Sequence, residues 1–399
     1  MPTTDRDAKR ASGGRSSPRG SLPRSAPPRI LLALTSHGLG HLTRSLEIAS
    51  ELRSLDSRIE FVVATTVPEA RVARGLAPPF AYRPVDYEPG TLQRSCFELD
   101  VTGTRAAYRR FVGEREERLE QERRFLRASG CNAVLSDIPA LPIRAGRALG
   151  LPAIGIANFT WDWILEPLLA GTAVADTTKI LADDYAEGTL QLRLPFGPDG
   201  SPFPRSEPAP LVSRRATLSP SEVRRRLRLP PKDERALVIV CPGGWEPSGW
   251  KAIRVPGCPG FRFVTVGDLP ISADAPLHAL AHDLPAGIAF TDLVAAADLV
   301  LAKPGYGIAS ECMAHQTAFV AIERPDFRET PILLEACHRM GPSAEMSLAD
   351  FFAGCWEGAL RSALESGTAW TPVPSDGASQ VARRVAQLLE LRDSRNSVV

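Results

Sequence analysis

The stretch Leu32–Leu52, LALTSHGLGHLTRSLEIASEL, sets two glycines and two histidines between an apolar run and an amphipathic one. A strand that enters a glycine turn and leaves it as a helix is a setting in which free helix amides meet a ligand. Three chemistries suit it: a dinucleotide turn, a metal site, or a general base. Gly38 and Gly40 supply two glycines of a dinucleotide fingerprint, but the third place holds Thr43. The next apolar run ends in Thr65 and Thr66, where an NAD enzyme presents Asp or Glu to the ribose. A dehydrogenase is therefore disfavoured. A metal would need His37 and His41 on one helical face, but the glycines between them belong to a turn and no third ligand adjoins. An imidazole at such a turn titrates near neutrality and can take a proton from an attacking hydroxyl. His41 is the candidate base; His37 stays open, because the turn alone orients neither ring.

Outward from this turn the same pattern repeats. Short apolar runs at Ile30–Leu34, Ile59–Ala64, Ala133–Ser136, Ala153–Ala157, Leu237–Cys241, Phe261–Val266, Ile288–Phe290, Leu299–Ala302 and Ala318–Ile322 read as strands. Helical patterns lie between most of them, the longest from about Arg105 to Ala128. Continuous apolar strands separated by helices imply parallel sheets covered on both faces, hence an α/β class. The Pro- and Gly-rich run Leu194–Val212 reads as a connection, and Ser219-Pro220 with Glu222 as the start of a helix. The arginines of that helix suit a solvated face or a basic patch. The expected partition is a tail over 1–28, a Rossmann-like unit over 29–213 and a second over 214–390, with a ligand between the carboxyl ends of the two sheets.

Composition narrows the classes further. The 399 residues are 44% hydrophobic and 23% charged with net charge +1, which offers no argument for nucleic acid. No apolar run reaches the length of a membrane span, so stable membrane insertion is not expected. Seven scattered cysteines without a CxxC pair favour reduced thiols in a cytoplasm. The first 28 residues carry no apolar core of a signal peptide and read as a disordered tail. His278 and His282 have helix spacing with only Asp283 nearby, and read as surface helix residues rather than metal ligands.

A histidine base gains from a carboxylate that fixes its tautomer. Asp137 directly follows a buried run in AVLSDIPALPIRAGRALGLPAI, on the same rim as His41. Its alternative role is to cap the following helix. At this point a resemblance appears. GLGHLTRSLEIASEL is similar to the Gly-His turn of two-domain GT-B glycosyltransferases, and SDIPALPIRAGRALGLPAI to their Asp-bearing strand, helix and LGxP. The likeness is nearest to the glycosyltransferase-like N-terminal half of plant L-arabinokinases, which share HGxGHxTR, NFxWD and KxGYGxxSE; it runs from about Arg29 to Val385. It does not extend to a sugar-kinase half, and His41 stands where that kinase family's phosphate loop has serines, so kinase activity is not implied.

The donor side lies in ADLVLAKPGYGIASECMAHQTAFVAIERPDFRETP, Ala297–Pro331. Here Leu299–Ala302 reads as a buried strand and Lys303 to Gly307 as a tight turn. A helix is expected from Ile308, with Glu311 in its first turn. Free amides there can receive a diphosphate, Gly305 and Gly307 permit close approach, and a carboxylate one turn in can accept a ribose diol. A plain cap is the alternative for Glu311. The stretch resembles the glycosyltransferase donor signature, which implies donor contacts for Lys303, Gly305, Tyr306, Gly307 and Glu311. That family's sugar-holding carboxylate falls near Asp326 to Glu329, with Glu329 preferred. Gly243 and Gly244 stand where the family has its other phosphate-side loop, or form an ordinary turn. Phe159, Trp161 and Trp163 offer rings either to a sugar or to a core, and Asp162 between the tryptophans needs a polar partner. Trp161, Asp162 and His37 are the expected acceptor contacts.

Together these readings imply a GT-B enzyme that moves a sugar from a nucleotide diphosphate, a UDP-sugar by expectation, to a hydroxyl of a small molecule or glycan. Inversion, with His41 as base and Asp137 behind it, is expected, without metal or cofactor. An epimerase or hydrolase of the same donor, or a catalytically silent sugar-nucleotide binder, are the alternatives.

Overall fold

The computed structural model describes residues 27–230, 233–243, 252–267, 269–272, 277–280, 284–374 and 376–391, with 277–280 as backbone only. Met1 to Ala26, Gly244, His282 and Asp283 lie outside the described residues. The chain begins with β1 (Arg29–Leu34), α1 (Leu39–Leu55), β2 (Glu60–Ala64), α2 (Glu69–Gly75) and β3 (Ala81–Arg83). A hairpin, β4 (Gln93–Ser95) and β5 (Glu98–Leu99), precedes the long α3 (Val101–Ser129). Then come β6 (Ala133–Asp137), α4 (Leu141–Ala148), β7 (Ala153–Ala157), α5 (Trp161–Leu169), α6 (Thr177–Ala186), β8 (Leu190–Arg193) and β9 (Ser206–Pro208). The second series is α7 (Pro220–Arg226), β10 (Ala236–Val240), β11 (Phe261–Val266), β12 (Leu277–Leu280), α8 (Phe290–Ala296) and β13 (Leu299–Ala302). It continues with α9 (Tyr306–His315), β14 (Ala318–Ile322), α10 (Thr330–Met340), β15 (Ser343–Met346), α11 (Leu348–Ala353), α12 (Glu357–Leu364) and α13 (Gly377–Leu388).

Two parallel sheets result, in the orders β3-β2-β1-β6-β7-β8-β9 and β12-β11-β10-β13-β14-β15. Central strands such as β6 and β7 are buried at every residue, which is why they read as unbroken apolar runs. In each sheet the winding reverses once, between β1 and β6 and between β10 and β13. At such a reversal the flanking loops part and leave a crevice at the carboxyl ends. Leu34 pairs in register with Asp137, so the residues after β1 and the last residue of β6 share the first crevice. Among the described residues no helix is long and apolar enough to cross a membrane.

Several expectations need correction. Ile288–Phe290 is not a strand: the Asp292 carboxylate accepts the amides of Ala289, Thr217 and Leu218, and the chain turns into α8 at Phe290. The connection Leu194–Val212 contains β9, which adds an edge strand beside β8. His278 stands on β12, parallel to β11, and not on a helix. Asp137 does not cap α4. The amides of Ala140 and Leu141 go instead to Glu88 Oε1, at 2.9 and 2.8 Å. By contrast, Ser219 caps α7 through the amide of Glu222, and the arginines of α7 pair with Glu222 and Asp298 at the surface.

Packing does not follow the expected partition at residue 213. Helix α13 lies against α1, and its Val381, Ala382, Val385 and the following Leu389 belong to the apolar cluster beneath the first sheet. In the other direction, Cys96 and Phe97 of the β4–β5 hairpin join the core of the second sheet. The Phe97 ring lies 5.9 Å from Phe351 and 6.3 Å from Phe352. Each unit therefore lends the other a segment. Phe97→Ala is expected to cost about 3–5 kcal/mol, as buried Phe truncations do, and urea unfolding followed by tryptophan fluorescence would measure it. A change within error would place the hairpin outside the load shared by the two cores.

Glu88 supplies a second test. Burial pushes its carboxyl from the ordinary 4.5 up to about 8, against the pull of the two α4 amides. The folded chain thus holds a proton that the unfolded chain releases, so this group's stabilisation is complete below about pH 4.5 and is lost as pH rises through about 8. Glu88→Gln should flatten that decline. Melting temperatures of parent and variant, compared from acid to mildly alkaline pH, should converge at low pH and separate in the variant's favour above neutrality; parallel curves would refute the assignment.

Candidate active site

The first crevice is built around one carboxylate. Asp137 ends β6 and is 1% exposed. The residue after it, Ile138, sits at φ 83°, a left-handed conformation that a β-branched side chain rarely takes. From α1, Arg44 donates through Nε to Asp137 Oδ2 at 2.7 Å and through Nη2 to Oδ1 at 2.6 Å. Ser45 Oγ donates to Oδ2 at 2.7 Å, and His41 Nδ1 lies 2.9 Å from Oδ1. All four acceptor positions of the carboxylate are thus used. Burial pushes Asp137 up, but Arg44 and His41 outweigh it and hold it well below the usual carboxylate range. An ionised carboxylate accepts from Nδ1, whereas Arg44 Nη2, also 2.9 Å from that nitrogen, can only donate; with Nδ1 donating to Asp137, Nε2 is the basic nitrogen. Nε2 has no hydrogen-bond partner among the described residues. Burial, and then the Arg44 charge, lower the His41 pKa, with Asp137 opposing them. Arg44 also donates from Nη1 to Asn158, whose amide donates to the carbonyl of Pro195 at 2.6 Å.

His37 faces elsewhere. Its Nε2 donates to the Thr91 carbonyl and lies 3.0 Å from Thr91 Oγ1, and its ring meets Trp161 edge-on at 5.4 Å. A Cβ at Gly90, where φ is 63°, would come within 2.5 Å of the ring, so that turn admits only glycine. The packed surroundings push His37 down to about 4, despite its bond to Thr91. Trp161 is 1% exposed and part of the core; it reaches the crevice through His37 and presents no open ring face, contrary to its expected acceptor role. Trp163 is the half-buried ring, with the Arg328 guanidinium 4.5 Å above it. Asp162 Oδ1 is buried without a partner, and burial raises its pKa against the pull of Thr160 and two helix amides.

The second crevice lies between β10 and β13. Gly243 follows β10 and Lys303 follows β13; a Cβ on Gly243 would meet Lys303 Cε at 3.0 Å. Lys303 has no ion-pair partner among the described residues, and burial followed by the neighbouring Arg324 lowers its pKa to about 8. Helix α9 starts at Tyr306, two residues earlier than expected, with Gly305 as its N-cap and no side-chain cap. Glu311 therefore lies in the second turn, 4% exposed, where Arg214 Nε and Nη2 both reach its Oε1, at 2.7 and 2.6 Å. Capping is not its role. Tyr306 turns toward the first unit, donating to the Phe196 carbonyl at 3.0 Å. Gly307 touches Gly40: a Cβ on Gly307 would lie 2.8 Å from the Gly40 Cα. Glu329 is the N-cap at the start of α10, without a side-chain cap bond, and stands 3.9 Å from Arg324.

Thus the structure brings His41 together with Asp137, and Gly243 with Lys303, while Tyr306 and Gly307 meet the opposite unit. Arg44, Ser45, Asn158, Arg214 and Arg324 went unassigned at the level of sequence. Arg44 and Ser45 had a readable signal, since they lie three and four residues after His41 on one helical face. Arg214 had none, being a single charge 97 residues from Glu311, whereas Arg324 lies close in sequence to Phe327 and Glu329.

Comparison with known proteins extends this description. No protein-family model matches the chain. L-arabinokinase of Arabidopsis thaliana is 28% identical over 341 residues, covering 83% of this chain and 32% of the relative. The chain thus spans about a third of the length of that curated relative. A UDP-glucosyltransferase from Polygonum tinctorium superposes with a TM-score of 0.61 at 14% identity, over 93% of this chain and 100% of that one. The glycosyltransferase SnogD from Streptomyces nogalater gives 0.53 at 18% identity, over 92% and 97%. With two parallel sheets whose carboxyl rims meet at Gly40 and Gly307, the chain has the fold of the GT-B glycosyltransferases.

Proposed function

We propose that the protein is a glycosyltransferase that moves a sugar from a nucleotide-diphosphate donor, a UDP-sugar in our reading, to an acceptor hydroxyl with inversion and without a metal. The observation that carries the reading is the His41–Asp137 pair at 2.9 Å, set on one rim directly across from the uncapped N-terminus of α9. His41 Nε2 takes the acceptor proton as the oxygen attacks the anomeric carbon. Asp137 keeps Nδ1 protonated and balances the imidazolium that forms. The bond from the anomeric carbon to the diphosphate breaks on the opposite face. Lys303 and the free amides at Gly305 to Gly307 receive the departing charge. Glu329 accepts sugar hydroxyls, and Glu311, oriented by Arg214, accepts the ribose diol.

Burial, followed by the Arg44 charge, lowers the His41 pKa and so favours the neutral base. The acid limb of the rate profile should therefore lie below the ordinary imidazole value, 6.5. His41→Ala should lower turnover by about 10²- to 10⁴-fold, as loss of a general base does, with donor affinity nearly unchanged. Asp137→Asn should also slow turnover, and the double variant should lose little more, because both residues act on one proton transfer. Transfer from UDP-sugars to a panel of small hydroxylated acceptors, with donor affinity by calorimetry, checks both. Donor binding with neither transfer nor hydrolysis would make the protein a silent binder, and unaltered turnover in a folded His41→Ala chain would remove the base.

A further inference from the structure

Beside the donor turn stands a guanidinium that the chemistry above does not use. Arg324 follows β14 on the carboxyl rim, and its side chain is 3% exposed. Nη1 donates to the Pro304 carbonyl at 3.3 Å, inside the turn between β13 and α9. The guanidinium carbon lies 3.2 Å from the centre of the Phe327 ring, which fixes the plane of the fork. Nη1 is 3.9 Å from Glu329, beyond hydrogen-bonding range. The other edge is open: Nε is buried without a partner, and Nη2 makes no hydrogen bond among the described residues. A buried cationic donor without an acceptor is costly, and in a cleft it implies that a ligand supplies the acceptor.

Position narrows what that acceptor is. In the reading above, the diphosphate lies at Lys303 and the amides of α9, and the sugar between it and Glu329. Arg324 stands one strand farther out than Lys303, between the Pro304 carbonyl and Glu329, at the sugar's end of the site. Glu329 pairs with the Nη1 side of the charge, and a neutral hexose would meet the open Nε–Nη2 edge with hydroxyls only. A carboxylate matches a side-on guanidinium edge with two parallel bonds. Resting on that reading of the site, the geometry points to a donor whose sugar carries a carboxylate, a nucleotide-diphosphate hexuronate, with Arg324 as the specificity-determining residue through Nε and Nη2.

The test is calorimetry on the full chain with UDP, UDP-glucose, UDP-glucuronate and UDP-galacturonate. At least one uronate donor should bind about tenfold or more tighter than UDP-glucose, as a charge-assisted pair implies. Arg324→Gln should bring that uronate down to the UDP-glucose level while UDP affinity stays within about twofold. Arg324→Lys keeps the charge but not the fork, and should recover only part of the preference. Melting curves establish that each variant is folded, and if Arg324→Gln is not, Arg324→Lys carries the comparison. Equal affinity of the parent for uronates and UDP-glucose overturns the inference and leaves the donor site standing. An equal fall in affinity for UDP itself in Arg324→Gln also overturns it, by assigning the guanidinium to the diphosphate. A chain that binds none of the UDP compounds overturns both the inference and the donor reading beneath it.

Discussion

The contact between Gly40 and Gly307 sets the distance between the two rims. Two helices, α1 and α9, point their N-terminal turns at each other and touch backbone to backbone, because neither residue has a Cβ to hold them apart. Helix N-termini carry partial positive charge, and neither of these has an acidic residue in its first turn or a side-chain cap. Lys303 and Arg324 add two cations nearby. Two like ends in contact are electrostatically unfavourable on their own. An anion between or beside them reverses the sign of that interaction, which is the physical reason to place the proposed donor diphosphate there.

The approach is held from both sides by borrowed segments. Helix α13 returns to the first sheet and covers α1, the helix that presents His41 and Gly40. The β4–β5 hairpin leaves the first unit and fills the second core, bringing Cys96 to the side of Gly243. An ion pair between Arg328 and Glu166 adds to the span. Surface pairs of this kind are each weak; the apolar segments carry more of the load. The relative placement of His41 and the turn before α9 is thereby a property of packing and not of the linker after β9.

How much of this was legible follows from the range of each interaction. Strands buried on both faces announce themselves as apolar runs, so the two-sheet architecture was readable, as was the turn holding His41. Asp137 was readable because it ends such a run. Whether it would cap α4 or orient His41 was not, since the answer depended on Glu88, which is distant in sequence and takes the capping amides for itself. Short edge strands such as β9 were missed because a proline-rich edge needs few apolar residues. The exchange of α13 and of the hairpin was illegible in principle: an amphipathic helix or a buried Phe declares that it packs, but not against which sheet.

Arg44 shows why the proposed base cannot be understood from His41 alone. It holds Asp137 by two hydrogen bonds and so fixes the carboxylate that orients the imidazole. The same charge, next to His41, works against protonation and opposes the carboxylate's own effect. The carboxylate pulls the histidine toward the imidazolium, and burial, followed by the Arg44 charge, opposes that pull. With the arginine sharing the aspartate, the ring keeps its orientation while its pKa is held below the ordinary value. Arg44 thus bears on orientation, through Asp137, and on charge, and Asn158, anchored on the Pro195 carbonyl, holds the arginine in place.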